Sequence, residues 1–417
     1  MNIPQGYKQT EFGCIPTDWI LCTFQDVLTT FSSGATPYRG IPDYYKGDVR
    51  WISSGELNYN KIYDTIEHIS QQAVRNTNLC IHKPGTFLMA ITGLEAEGTR
   101  GRCAFVGAPS TTNQSCLAIN GTDKMCTEYL FWFYQMWEQY LAFKYCQGTK
   151  QQSYTANIVK KLPIYGPKNI SEQKAIAEAL SSVDNLIEAL DKKIAKKRLI
   201  KQGAMQQLLT GKKRLPGFTE EWVEKKLGEI CLFQNGYTPS KAIRHFWENG
   251  TIPWFRMEDI RTNGRILDHA FQYITNEAVK GNLFPAGSII MSTTATIGEH
   301  ALLIVDSLAN QQFTNLIIRK SFDKQVDTIW FYHYCYTLGE WCRNNINEGG
   351  LAAVNMEDFS NVQITLPPIL EQQAIATILS NMDKEIEELE IRKEKYSLIK
   401  AGMMQKLLTG QIRLKTE

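Results

Sequence analysis

The chain repeats itself. Glu172 to Gly211 recurs at Glu371 to Gly410 with a constant offset of 199 residues and no gap, and 22 of the 40 aligned positions are identical. The identities include Glu172/Glu371, Gln173/Gln372, Ile176/Ile375, Leu180/Leu379, Asp184/Asp383, Ile187/Ile386 and Leu190/Leu389, and both copies close with Leu-Leu-Thr-Gly. Solenoid repeats have periods of about 20–50 residues, so a period this long marks a duplicated domain. Whatever one half folds into, the other half must fold into as well.

Within each copy the apolar residues advance by alternating steps of four and three. They are Ile176, Leu180, Val183, Ile187, Leu190 and Ile194 in the first, and Ile375, Leu379, Met382, Ile386 and Leu389 in the second. This spacing predicts a helix that pairs with another helix, with charges filling the remaining faces. Ser171 ahead of Glu172 and Gln173 predicts the first N-cap, and Pro367 with Pro368 stops any helix upstream of the second. Gly211 ends the first helix and Pro216 prevents its restart. Each helix is about 40 residues, or about 60 Å long, several times the usual length. So narrow a stripe needs a partner, and the nearest complementary stripe is the other copy. The expected arrangement is an antiparallel pair with a pseudo-twofold axis, holding the two intervening segments at opposite ends of a rod.

Composition narrows the class. The chain has 417 residues, 43% of them apolar, which is enough for two or three cores. A formal charge of +2 gives no bulk attraction to polyanions, so a nucleic-acid partner would be met by locally placed Lys and Arg. The ten cysteines form no Cys-x-x-Cys and no zinc-finger spacing, and no metal is expected. There is no signal-peptide pattern and no apolar run of about 18 residues, so a reduced, soluble, cytoplasmic protein is the expectation.

The segments between the helices also match, more loosely. Asp18-Trp19 answers Glu221-Trp222, Ser33-Gly34-Ala35-Thr36-Pro37 answers Asn235-Gly236-Tyr237-Thr238-Pro239, and Asn113-Gln114 answers Asn310-Gln311. Residues 87–91, 103–107, 289–291 and 301–305 are predicted strands, bounded by Gly, Asn and Pro turns. Aromatic-rich helices are predicted over 129–146 and 329–342. The stripe of Phe131, Trp132, Tyr134 and Trp137 has the chemistry to stack on bases, but such stripes are more often core. A shared scaffold with diverged loops is the pattern of one fold doing the same task on two targets.

Two variable segments, each entered through a Trp and an SGxTP-like turn and each closed by an EQxAIA helix ending in LLTG, resemble the specificity subunit of Type I restriction-modification systems. The resemblance covers essentially the whole chain. It implies an α+β fold with two pseudo-symmetric mixed α/β target-recognition domains, 1–167 and 212–367. Each is followed by a long helix, 168–211 and 368–417, and the two helices pair as an antiparallel coiled coil. It implies double-stranded DNA as the ligand, read as an asymmetric split sequence with one half-site per domain and the helices as a ruler. The implied partners are two methyltransferase subunits and endonuclease/translocase subunits, which alone would bind S-adenosylmethionine, ATP and Mg.

The residues agree on chemistry. There is no Asn-Pro-Pro-Tyr or Asp-Pro-Pro-Tyr, no glycine-rich S-adenosylmethionine loop and no GxxxxGK[ST] phosphate loop, so no catalytic residue is assigned. Glu172-x-Lys174 can be forced into a nuclease pattern with Pro42-Asp43, but a capping or solvated role in the helix suits it better. A coiled-coil scaffold without DNA contact and a self-sufficient methyltransferase remain as alternative readings.

Base edges require donors and acceptors on supported loops, with Arg suited to guanine, Asn or Gln to adenine and Lys to phosphates. Three groups qualify. Thr149, Lys150, Gln151, Gln152 and Ser153 follow the first aromatic helix, where Asn344, Asn345 and Asn347 follow the second. Thr92, Arg100 and Arg102 frame a glycine-rich loop answered by Thr293, Thr294 and Thr296. Arg39, Lys46, Lys241 and Arg244 flank the early turns and suit phosphates. The run Lys192, Lys193, Lys196, Lys197 and Arg198 is the one basic cluster, read as a solvated face or a contact for an acidic partner.

Overall fold

A computed structural model describes residues 3–94, 102–148, 152–347 and 352–414. The chain divides into two compact units, one made of residues 1–191 and 391–417 and the other of residues 192–390. Two 39-residue helices, Ile170–Leu208 and Ile369–Leu407, each contribute one half to each unit.

In the first unit a five-stranded sheet runs in the order Thr29–Ser33, Cys116–Asn120, Phe87–Ala90, Cys103–Val106, Lys61–Ile62, antiparallel except for the last pair. A smaller sheet places Val49–Ile52 between Ser110–Thr112, which is parallel to it, and His68–Ile69, which is antiparallel. The second unit has the same topology. Its large sheet is Cys231–Asn235, Phe313–Ile318, Ile289–Ser292, His300–Leu303, Ile266–Leu267, and its small sheet is Tyr273–Ile274, Ile252–Phe255, Leu308–Ala309. Phe87–Ala90 and Ile289–Ser292 are buried along their whole length, as short unbroken apolar runs at a sheet centre should be.

The aromatic helices, Thr127–Tyr145 and Thr328–Asn344, supply core. Tyr134 meets Phe87 edge-on at 5.7 Å, Phe131 stacks on Phe105 at 4.9 Å, and half-buried Trp137 lies 4.9 Å from Phe12. None of the stripe is left free to stack on a base.

Each unit pairs its two half-helices antiparallel. In the first, Lys400 bonds Asp184 at 2.5 Å and Lys393 bonds Asp191 at 2.6 Å; in the second, Lys201 pairs with Asp383 and Lys197 with Glu385 at 2.7 Å. Asp184 and Asp383 are copies of one another, as are Lys201 and Lys400, so the same bond is made once in each unit. Along the seam Ile176, Leu180, Leu190, Ile194, Ile375, Leu379, Ile386 and Leu389 are buried, while Val183, Ile187 and Met382 are only half-buried. Ile176 and Leu180 join the first unit's core together with Leu407 and Leu408, and Ile375 and Leu379 join the second's with Leu208 and Leu209. The stripe therefore serves two purposes, domain core at its start and helix pairing beyond.

Two local expectations are corrected. The first N-cap is Asn169, whose Oδ1 accepts the Ser171 N–H at 2.8 Å, because the helix already begins at Ile170. Glu172 is neither solvated nor capping. It is buried and takes two hydrogen bonds from Arg413, at 2.6 and 2.8 Å, and its copy Glu371 takes two from Arg214, both 2.7 Å. Gln173 and Gln372 are buried beside them: Oε1 accepts from the N–H of Cys126 or Asp327, and Nε2 donates to two carbonyls in each unit. The repeated Glu-Gln pair is thus a clasp between helix and domain.

Candidate nucleic-acid interface

The loops at one edge of each unit are tied into a row by hydrogen bonds that recur in both units. In the first, the Trp51 indole N–H donates to Ala35 O at 3.0 Å, the Thr36 hydroxyl bonds Gln114 Oε1, and Asn113 N–H reaches Ile52 O at 2.8 Å. The row continues from Ile91 N–H to Ser115 O at 2.9 Å and from Tyr154 N–H to Ile91 O at 2.8 Å. In the second, Trp254 bonds Tyr237 O, Thr238 bonds Gln311, Asn310 bonds Phe255 O, Thr293 bonds Gln312 O and Val354 bonds Thr293 O. Glycine is required where the SGxTP-like turn crosses the strand ends. A Cβ would lie 1.8 Å from Thr112 O at Gly34 and 2.1 Å from Asn310 O at Gly236. The bonds recur along the whole row, while the residues that make them match between the halves only at Trp51/Trp254, Thr36/Thr238, Asn113/Asn310 and Gln114/Gln311.

Two of the three groups read from the sequence converge here. Thr92 pairs with Ser153, which also pairs with Gln147, and Leu94 N–H bonds Gln152 O at 3.2 Å. In the second unit Thr294 pairs with Ala353, Asn347 N–H bonds Ala353 O at 3.1 Å, and Ile346 pairs with Val354. Asn344, Asn345 and Asn347 are exposed, though the Asn345 amide donates to Trp341 O at 2.8 Å. Thr294 and Thr296 are half-buried on the turn. Half-buried Arg102 directly precedes the Cys103–Val106 strand, its carbonyl accepting Ala90 N–H at 2.8 Å. Arg100, Thr149, Lys150 and Gln151 lie outside the described residues. Thr293 is a correction: it is buried and its hydroxyl is shared with Thr314 at 3.0 Å, so it holds the turn rather than facing a ligand.

The charged group is dispersed. Arg39 makes a two-pronged bond to Glu67, 2.6 and 2.8 Å, with its guanidinium 4.4 Å from the Tyr45 ring centre. These bonds hold the Glu67 carboxyl below its ordinary range and raise the Arg39 pKa. Because Glu67 O accepts from Trp51 N–H at 3.3 Å, Arg39 is attached to the row. Lys46 pairs with Asp43 at 3.1 Å in open solvent, and Lys241 and Arg244 are exposed near the corresponding turn. The basic run on the first helix is partly spent inside its unit, with Lys197 on Glu385 and Arg198 on Glu390.

Glu138 is a buried acid that the sequence does not mark. It lies within the first aromatic helix, where burial pushes its pKa up to about 7, while Tyr59 donates to Oε1 at 2.5 Å and works against that rise. Nothing in the local sequence marks it, since a glutamate among aromatics in a helix reads as a solvated position. Among the described residues no three metal-ligating side chains cluster, and no helix is long and apolar enough to cross a membrane.

One scaffold used twice, with recurring ties and unmatched loop residues between them, defines a duplicated recognition protein. The family described as Type I restriction modification DNA specificity domain matches residues 16–197 and again 219–395, and the chain belongs to that family. The Type I restriction enzyme MjaIX specificity subunit of Methanocaldococcus jannaschii is 30% identical over 435 aligned positions, covering 98% of this chain and 96% of that one. The EcoprrI specificity subunit of Escherichia coli is 47% identical over 164 residues, a match spanning 39% of this chain and 40% of that protein. The solved S subunit of the Type I system from M. genitalium shares the fold, with a TM-score of 0.62 at 13% identity over 100% of this chain and 99% of that one.

Proposed function

We propose that this chain selects the DNA target of a Type I restriction-modification complex and performs no chemistry itself. Each unit lays its row of loops against one half-site of a split sequence. Because the loop residues differ between the units, the two half-sites differ and the target is asymmetric. The observation that carries this reading is the doubled family match, one per unit, combined with recurring ties and different residues between them. Methyl transfer from S-adenosylmethionine and ATP- and Mg-dependent cleavage belong to partner subunits, in the cytoplasm.

Two methyltransferase subunits are the partners expected of the family, and exposed apolar residues at matched places on the two long helices support that expectation. Leu199 and Leu398, identical positions of the two copies, are 69% and 70% exposed, each followed by an exposed Ile. Large apolar side chains kept in water at matched places suit one partner taken up twice.

Co-expression with the methyltransferase subunit encoded beside it, followed by single-molecule mapping of methylated adenines, tests the reading. A split, asymmetric motif that vanishes when this chain is omitted is expected. A stable complex that methylates no new motif would refute it.

A further inference from the structure

Each unit also holds one apolar side chain out in solvent on a loop fixed by a carboxylate. In the first unit a 3-10 turn, Ser54–Glu56, follows the Val49–Ile52 strand. One Glu56 oxygen accepts the Ser53 N–H at 2.8 Å, and the other accepts the N–H of Ile66 at 3.0 Å. In the second unit Asp259 repeats the arrangement: Oδ2 accepts from Arg256 N–H at 2.7 Å and Oδ1 from Phe271 N–H at 2.8 Å. Asp259 is fully buried, yet Ile66 is 86% exposed and Phe271 is 52% exposed. The next residues, Glu67 and Gln272, accept through their carbonyls from the N–H groups of Trp51 and Trp254. Those are the tryptophans whose indoles hold the row of recognition loops, so each apolar tip is joined to its row.

A lone exposed apolar side chain is ordinary. Here the same position is used in both units, and its backbone is pinned by an acid that also caps a turn. A pinned backbone presents its side chain at a fixed place, as a contact to a base edge requires. The identities also separate two kinds of partner. Leu199 and Leu398 are the same residue, as one partner taken up twice requires. Ile66 and Phe271 differ, as two different half-sites require.

We propose that Ile66 and Phe271 are specificity-determining residues, one per half-site, each packing against the 5-methyl group of a thymine in the major groove. This inference rests on the DNA-recognition reading above. The thymine methyl is the apolar feature that distinguishes one base edge from the others, and a rigid apolar tip beside polar loops complements it.

The test uses the full chain co-expressed with its methyltransferase subunit, first to obtain the motif and then to measure binding to duplexes in which single thymines are replaced by uracil. Losing one methyl contact should weaken binding about fourfold at one position in each half-site. Ile66→Ser should remove that uracil sensitivity in one half-site only, and Phe271→Ser in the other, with complex assembly and thermal stability unchanged. Sensitivity that persists in both variants, or is absent from the wild type, would overturn the inference while leaving the recognition role standing. Loss of assembly in the variants would reassign the tips to a protein partner. A wild-type complex without any split motif would overturn the recognition role and the inference with it.

Discussion

Arg214→Met should cost the second unit more than Glu371→Leu, although both break one ion pair. The Glu371 side chain is fully buried, while that of Arg214 is 31% exposed. Removing the arginine leaves a carboxylate inside the protein with only the Trp222 indole N–H, at 2.9 Å, to satisfy it. Stranding a buried charge in this way costs about 3–5 kcal/mol. Removing the glutamate leaves a guanidinium that water reaches, that still donates to Glu220 O at 2.9 Å, and that still lies over the Trp222 ring. About 2 kcal/mol is expected for that change, chiefly from the unpaired indole. For a unit of this size 1 kcal/mol shifts the melting point by about 2–4 °C, which gives about 12 °C for Arg214→Met and about 6 °C for Glu371→Leu. The double variant should lie no lower than Glu371→Leu, since replacing both members of a buried pair by apolar groups is often neutral. Calorimetry of the full chain measures the shifts, and amide exchange over residues 212–226 and 363–376 assigns them to the second unit. Equal shifts, or a larger one for Glu371→Leu, would refute the reasoning.

Three further outcomes follow from individual sites. Gly203→Ala should stabilise by about 0.5–1 kcal/mol, because its Cβ meets nothing in mid-helix, whereas Gly410→Ala should destabilise, since φ is +71° and the Cβ would lie 2.4 Å from Pro16; chemical denaturation of both variants checks the opposite signs. Glu138 has a folded pKa of about 7 against an ordinary 4.5, so the folded state holds the extra proton between those values and stability is lost as pH rises through that window. Glu138→Gln should abolish the loss, widening its melting-point advantage over wild type from pH 5 to pH 8, and a gap independent of pH would count against it. Lys241→Ala, at an exposed position near the second unit's SGxTP-like turn, should reduce the salt dependence of DNA binding by about one unit of slope across all sequences; a change confined to one base position would make Lys241 a base reader instead.

The fold was legible where periodicity is strong. The four-three spacing gives both long helices, and the unbroken runs Phe-Leu-Met-Ala and Ile-Ile-Met-Ser give the central strands. The aromatic stripe has the composition of core and packs as core. Less was legible where a side chain's partner is remote in sequence. Thr36 and Gln114 are 78 residues apart, and Arg39 and Glu67 are 28 apart, so no local pattern shows that one ties a turn and the other occupies a cation. Thr293 reads as a loop hydroxyl, and only the fold shows that Thr314 already uses it. Ile66 and Phe271 stand among turn residues with no periodicity, and their exposure depends on an acid 10 or 12 positions earlier.

The duplication also hides a choice that only geometry resolves. Each copy contains a Glu at the start of its long helix and an Arg just past the end, Glu172 with Arg214 and Glu371 with Arg413. Sequence proximity suggests pairing within a copy. A 39-residue helix separates those partners by roughly 60 Å, so pairing within a copy is impossible as long as the helix stays intact. Antiparallel packing brings the end of one helix to the start of the other, and the observed bonds are crossed: Arg413 to Glu172, and Arg214 to Glu371. Each unit is therefore closed by the helix end of the opposite copy. A change in either Glu is felt by an Arg of the other copy, because each clasp joins one residue from each copy.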